Sequence, residues 1–162
     1  MAKLALVGKG ASGKTYLLDV LVKRGYKPLV SHTSRPPRDG EVNGKTYHFV
    51  SKEEFEDMVA RDMFVEYQIF NGWYYGTTKE EWDNADIMIL SPEGVKDIVK
   101  SGRRKDVFII YLNAPTELRL QRMKARGDMV GDTIERRINA DEEAFKDYTD
   151  YDLLINDYQT IA

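Results

Sequence analysis

The chain has 162 residues, 42% apolar and 31% charged, the balance of an ordinary globular domain that buries roughly 70% of its unfolded surface. Its 24 basic and 27 acidic residues leave a formal net charge of −3, which argues against a general nucleic-acid surface. With no cysteine and two histidines, His32 and His48, the sequence excludes a disulfide framework, thiol catalysis and cysteine-ligated zinc, and it fits a reducing, cytoplasmic setting.

In chain order, "KLALV" (3–7) is a short apolar run ending at Gly8, which predicts a buried parallel strand. It is too short for a secretion signal, and no run in the chain is long enough to span a membrane. "GKGASGKT" follows, and then "YLLDVLVKRG", a helical pattern stopped at Gly25. Residues 27–31 read as extended, and "TYHFV" alternates like a strand. "SKEEFEDMVARD" carries Ser51 and, three residues on, Glu54, the start of a capped helix. "MFVEYQIF" and "WYYGT" predict two strands joined by Asn71-Gly72, a hairpin signal. "DIMIL" (86–90) is a further buried strand, and "SPEGVKDIVKSG" a helix with Ser91 as N-cap and Pro92 at its first position. "DVFIIYL" (106–112) is the strongest buried strand. Residues 116–126 and 132–148 are helical and arginine-rich, and "DLLIN" (152–156) is a last short strand. Buried strands alternating with helices imply a parallel sheet covered on both faces. Residues 31–82 break that rhythm and read as an inserted piece with antiparallel pairing, and 115–140 as a mobile, positively charged flap.

The most specific local motif is the glycine loop. Gly8, Gly13, Lys14 and Thr15 satisfy G-x-x-x-x-G-K-[ST], between a predicted strand and a predicted helix. Glycines let backbone amides turn inward onto phosphate oxygens, and the helix N-terminus adds more amides. Gly8, Lys9, Gly10, Ala11, Ser12, Gly13, Lys14 and Thr15 are thus the candidate ATP-binding residues, with Lys14 on the β- and γ-phosphates and Thr15 on Mg²⁺. The loop says that a nucleotide is bound and leaves open what becomes of it.

"TSRPPRDGEVNGKTYHF" (33–49) sets Arg35 and Arg38 on a segment that its prolines keep from forming a helix. Alone, these arginines are either solvated charges or an anion clamp. Tyr47 and Tyr75 alone read as packing residues, whereas Glu66 inside an apolar strand needs a partner.

Here a family resemblance enters. "SHTSRPPRDGEVNGKTYHFVS" resembles the nucleoside-monophosphate loop of guanylate kinases, and "FVEYQIFNGWYYGT" that family's next acceptor segment. "RMKARG", "IERRINADEEA" and "DLLIN" are similar to its lid and last strand, in the same order and over nearly the whole chain. The resemblance implies a P-loop NTPase fold, three layers (αβα) about a parallel core sheet, with an inserted mixed or antiparallel GMP-binding region and a helical lid. It implies a single domain 1–162, with core 1–30, 83–114 and 141–162, GMP-binding region 31–82 and lid 115–140. Arg35, Arg38, Tyr47 and Tyr75 would hold the GMP phosphate, and Ser31, Glu66 and Thr77 would read guanine, with Glu41 and Ser91 in the same site. The chemistry agrees: guanidinium forks suit a phosphate dianion, and one carboxylate can accept both N1–H and N2–H₂ of guanine. Arg122, Arg126 and Arg137 of the lid would neutralise charge on the transferred group, so the catalytic set is Lys14, Arg38, Arg122, Arg126 and Arg137. Arg103, Arg104 and Arg119 match nothing in the family and read as solvated.

The sequence departs from the family at "MILSPEG". Aligned on Gly94, the positions of two family aspartates fall on Ile89 and Ser91. Ser91 can replace one acceptor and Glu93 can supply charge, while Asp86 lies at the wrong end of the strand. The chain also reads as a shortened member, with little helix between Thr78 and Asp86 and little after Asn156. The expected function is ATP- and Mg²⁺-dependent phosphorylation of GMP or dGMP in purine nucleotide metabolism. The expected partners are small nucleotides, with neither nucleic acid nor membrane, and the expected state is monomer or homodimer. Two rivals stay open: a related P-loop kinase acting on another small phosphate such as a ribose bisphosphate, and a non-catalytic guanylate-kinase-like module that binds phosphopeptides.

Overall fold

A computed structural model of the chain describes residues 2–125 and 132–156. The chain divides into two compact units, one from Met1–Tyr26 and Ile87–Ala162 and the other from Lys27–Asp86.

The first unit is built on a four-stranded parallel sheet. Its strands are β1 (Lys3–Gly8), β6 (Ile87–Ile89), β7 (Val107–Leu112) and β8 (Leu153–Ile155), in the order β6-β1-β7-β8. β1 lies between β6 and β7, with Ala5 opposite Met88 on one side and Ile109 on the other. Ala5, Leu6, Val7, Ile87, Ile109 and Leu112 are fully buried, so the apolar runs are explained by strands covered on both faces. Each large aliphatic side chain so buried contributes about 1.5–3 kcal/mol. Helix α1 (Lys14–Lys23) follows β1 directly. It ends where Gly25 takes φ 100°, with Gly25 N–H bonded to Val22 O and Tyr26 N–H to Leu21 O, a Schellman stop that needs glycine's freedom. Helix α4 (Pro92–Lys100) begins at Ser91, whose Oγ accepts from Gly94 N at 3.1 Å. The other helices of this unit are α5 (Thr116–Ala125) and α6 (Asp132–Ala144).

The second unit is a mixed sheet in the order β3-β2-β5-β4, from β2 (His32–Thr33), β3 (His48–Phe49), β4 (Phe64–Phe70) and β5 (Trp73–Thr78). β2 and β3 are parallel, and β5 runs antiparallel to β2 and β4. Asn71 (φ 51°) and Gly72 (φ 82°) make the β4–β5 turn, both in the left-handed region that a two-residue hairpin of this hand requires. Helix α2 (Lys52–Ala60) starts at Ser51, whose side chain accepts from Glu54 N at 3.0 Å. The strand expected over "TYHFV" is only two residues long. The preceding residues are spent in a turn, with Gly44 N–H bonded to Tyr47 O and Thr46 N–H to Val42 O. A six-residue helix, α3 (Lys79–Asn84), is capped by Thr78 accepting from Glu81 N. Phe55, Phe64, Tyr67 and Tyr74 stack against one another on one face of this sheet.

The α/β architecture with a parallel core sheet and an inserted, partly antiparallel piece is the one the sequence predicts.

Candidate nucleotide-binding site

The glycine loop bridges the end of β1 and the start of α1. A side chain at Gly8 would meet Leu112 O at 2.8 Å, so only glycine lets the loop leave the strand here. The loop turns back through Ala11 (φ 60°) and Gly13 (φ 98°), and Ser12 N–H donates to Lys9 O at 3.2 Å. Lys14 Nζ donates to the carbonyls of Gly8 and Lys9, which folds its ammonium over the loop. Burial pushes the Lys14 pKa down, partly opposed by the nearby Asp141 carboxylate. The first α1 amide with an intrahelical partner is that of Leu17, bonded to Gly13 O, so the amides before it are left for an external acceptor. A cavity of about 940 Å³ opens over this helix end, lined by Gly10–Tyr16, Asp19, Arg122, Arg137 and Asp141 among others. Thr15 is exposed in it, with Asp19 one turn further along α1.

Arg119 is the clearest correction to the sequence reading. Expected to be solvated, it is fully buried. Its Nε donates to Gly10 O at 2.8 Å and its Nη2 to Asp141 Oδ2 at 2.8 Å. The same Asp141 oxygen accepts from Gly10 N at 2.9 Å. Lys9 Nζ meets Glu142 Oε1 at 2.9 Å, which draws the Glu142 carboxyl below its ordinary pKa. Asp141, Glu142 and Arg119 were absent from the candidates because their partners lie far away in sequence. Arg104, also expected to be solvated, donates to Asp150 at 2.8 Å, Asp152 at 3.2 Å and Val107 O at 2.9 Å, and so fastens β7 to the segment before β8. Arg103 is half-buried, with Nη1 donating to Ser101 O. Of the lid arginines, Arg122 donates to Ala11 O at 3.1 Å and lines the cavity, and Arg137 lines it from α6. Arg126 lies outside the described residues.

In the second unit the strand register gathers the other candidates. Glu66 stands opposite Thr77 and Gln68 opposite Tyr75 across β4 and β5, and Thr33 pairs with Tyr75 on the other side. Phe49 pairs with Thr33. Side chains alternate along strands, so Glu66, Gln68, Thr77, Tyr75 and Thr33 share the face turned away from the aromatic cluster. Gln68, on that face, was not among the candidates. Tyr47 and Tyr75 meet edge to face, with ring centres 6.0 Å apart. The Arg35 guanidinium sits 5.4 Å from the Tyr47 ring centre. Its fork holds both oxygens of Glu41, at 2.8 and 3.0 Å, and its Nη1 also donates to Pro36 O. The pairing raises the Arg35 pKa and holds the Glu41 carboxyl down at about 2. Arg38 donates its backbone N–H to Glu41 at 2.7 Å, and its side chain is exposed. Ser31 is half-buried, with its carbonyl accepting from His48 N.

Ser91 belongs to the first unit, where its exposed hydroxyl caps α4. Ile89 is exposed beside it at the end of β6, and Glu93 pairs with Lys96 at 3.1 Å. Asp86 exchanges two bonds with Lys27, its carboxylate accepting from Lys27 N and its N–H donating to Lys27 O.

Comparison with known proteins gives one family. The family model described as guanylate kinase matches residues 1–160. A guanylate kinase of Baumannia cicadellinicola is 38% identical over 161 residues, covering 90% of this chain and 78% of that protein. A guanylate kinase of Neisseria gonorrhoeae is 38% identical, covering 79% of this chain and 66% of the relative. That of Escherichia coli K12 is 33% identical, covering 90% and 75%. The crystal structure of guanylate kinase from Anaplasma phagocytophilum superposes with a TM-score of 0.67 at 21% identity, covering 99% of this chain and 80% of that one, which shows the fold to be shared.

Proposed function

The chain belongs to the guanylate kinase family, and from that premise we propose that it moves the γ-phosphoryl group of ATP to the phosphate of GMP or dGMP. The products are ADP and the nucleoside diphosphate. An oxygen of the acceptor phosphate forms the new bond to the γ-phosphorus as the bond to the ADP oxygen breaks.

On the donor side, the loop of residues 8–15 wraps the ATP phosphates, with the amides at the start of α1 turned to them, and Lys14 adds its ammonium to the β- and γ-phosphates. Arg122 and Arg137, both on the loop cavity, offset the charge spread over the transferred group, with Arg126 in the same role. Mg²⁺ fits the oxygens here: Thr15 is exposed on the loop cavity at the start of α1, and Mg²⁺ characteristically takes one or two protein oxygens and completes its shell with phosphate and water. Thr15 would hold the ion through its hydroxyl, and the ion would supply charge neutralisation to the phosphates.

On the acceptor side, Arg38, Arg35, Tyr47 and Tyr75 hold the GMP phosphate. Glu41 aligns Arg35, and Ser31, Glu66, Thr77 and Ser91 read the base. The observation that carries the guanine assignment is the register that puts Glu66 directly opposite Thr77, on the face of Tyr75. A carboxylate there accepts the paired N–H donors of guanine, for which adenine has no equivalent on that edge. The ribose-phosphate and phosphopeptide readings have no observation in their favour. The proposed setting is the cytoplasm, where a chain without cysteine meets no oxidative demand, and the proposed state is monomer or homodimer. The test is product identity. ³¹P NMR of the chain with ATP, Mg²⁺ and GMP should show GDP and ADP rising together, and ADP rising with free phosphate alone would contradict transfer.

A further inference from the structure

We propose that Arg119 and Asp141 are positioning residues for the donor phosphate loop, holding the backbone of Gly10 on both sides and, through it, the left-handed turn at Ala11. The inference rests on the reading of residues 8–15 as the ATP cradle.

Ala11 takes φ 60°, a conformation that a residue with a Cβ adopts only at a cost and keeps only where its surroundings fix it. Three contacts from α5 and α6 fix it. Asp141 Oδ2 accepts from Gly10 N–H at 2.9 Å, Arg119 Nε donates to the Gly10 carbonyl at 2.8 Å, and Arg122 Nη1 donates to the Ala11 carbonyl at 3.1 Å. Both backbone polar groups of Gly10 are therefore held from outside the loop, its N–H in the Lys9–Gly10 peptide and its carbonyl in the Gly10–Ala11 peptide, and the plane of the second peptide sets the direction in which the chain enters Ala11. Arg119 and Asp141 are in turn joined at 2.8 Å, so the carboxylate is neutralised and aligned by a fully buried guanidinium. Space is tight: a side chain at Gly10 would lie 3.1 Å from Asp141 Oδ2 and 3.2 Å from Met123 Cε. The bracket uses only the Gly10 amide and leaves those at the start of α1 for phosphate. Arg119 and Asp141 touch no nucleotide in this account. They act through Gly10 and Ala11.

The test uses the full chain with Asp141→Asn, Arg119→Lys, Ala11→Gly and the double variant Arg119→Lys/Ala11→Gly. ATP and GMP dissociation constants are measured by calorimetry, and melting temperatures in parallel. Loss of a charge-assisted hydrogen bond in the bracket should weaken ATP binding about tenfold in Asp141→Asn and Arg119→Lys and leave GMP affinity within about twofold. Ala11→Gly takes the turn freely, so in the Arg119→Lys background it should recover at least about threefold of the lost ATP affinity without recovering the melting temperature. Unchanged ATP affinity, or equal losses for ATP and GMP, would overturn the proposal. So would tighter ATP binding by Asp141→Asn, since the carboxylate would then be a competitor of phosphate. If Arg119→Lys does not fold, Asp141→Asn, whose side chain is partly exposed and isosteric, decides alone. The readout is affinity, not turnover, so a wild-type chain that binds ATP and fails to phosphorylate GMP would count against the kinase reading only.

Discussion

Arg35 and Glu41 form a two-pronged ion pair, Nη1 to Oε1 at 2.8 Å and Nη2 to Oε2 at 3.0 Å, with the guanidinium against the Tyr47 ring. With Pro36 O also bonded to its Nη1, the geometry of Arg35 is set before any ligand arrives. Glu41 titrates at about 2 instead of 4.5, chiefly because of Arg35 and then of the Arg38 N–H. A carboxyl depressed in the folded state stabilises fully above its unfolded pKa and loses that contribution as pH falls through its folded one. The difference in melting temperature between wild type and Glu41→Gln should therefore be constant from neutral pH to about 5 and shrink as pH falls toward 2. Scanning calorimetry across that range checks it, and a difference undiminished at the acid end would contradict the pairing.

Arg38 differs from Arg35 in having an exposed side chain. Arg38→Ala should raise the KM for GMP about 30- to 100-fold, the loss expected for charge-assisted bonds to a phosphate, with ATP affinity little changed. Steady-state kinetics with each nucleotide varied in turn measures this. Equal losses for both substrates would argue against an acceptor clamp.

Glu66→Gln keeps size and loses one acceptor of the carboxylate proposed to read the base. It should lower kcat/KM for GMP by about 30-fold or more, because a base donor is then left opposed by an amide N–H₂. Comparing GMP with IMP, which lacks the 2-amino group, reads the effect directly. The preference for GMP over IMP should shrink in the variant, and an unchanged preference would remove Glu66 from base reading.

Gly76 is pressed beneath the aromatic cluster: an added Cβ would lie 2.8 Å from Phe64 Cδ1 and 2.9 Å from Tyr67 Cβ. Gly76→Ala should cost about 2 kcal/mol by overpacking and lower the melting temperature by about 4–8 °C. Thermal denaturation followed by near-UV circular dichroism tests this.

What the sequence made legible was local. "KLALV" and "DVFIIYL" are strands because both faces are covered, Asn71-Gly72 turns because both residues tolerate positive φ, and Ser91-Pro92 starts a helix by capping it. Thr78 and Glu81 carried the same capping spacing for α3, a signal that passed unused. Arg119 had no such signature. Its burial depends on Asp141, 22 residues on, and on Gly10, 109 residues back, and only the packing of α5 and α6 on the loop brings these together. Arg104 was missed for the same reason, since Asp150 and Asp152 lie 46 and 48 residues away. A lone helical arginine looks solvated in sequence, and its partners decide otherwise.

The measurement that bears most directly on the guanine-kinase assignment is ADP release with ATP and Mg²⁺ and each monophosphate in turn. ADP should form rapidly with GMP and dGMP and only at background rate with AMP, CMP, UMP or ribose 1,5-bisphosphate. Rapid release with any of the last four and not with GMP would contradict the account.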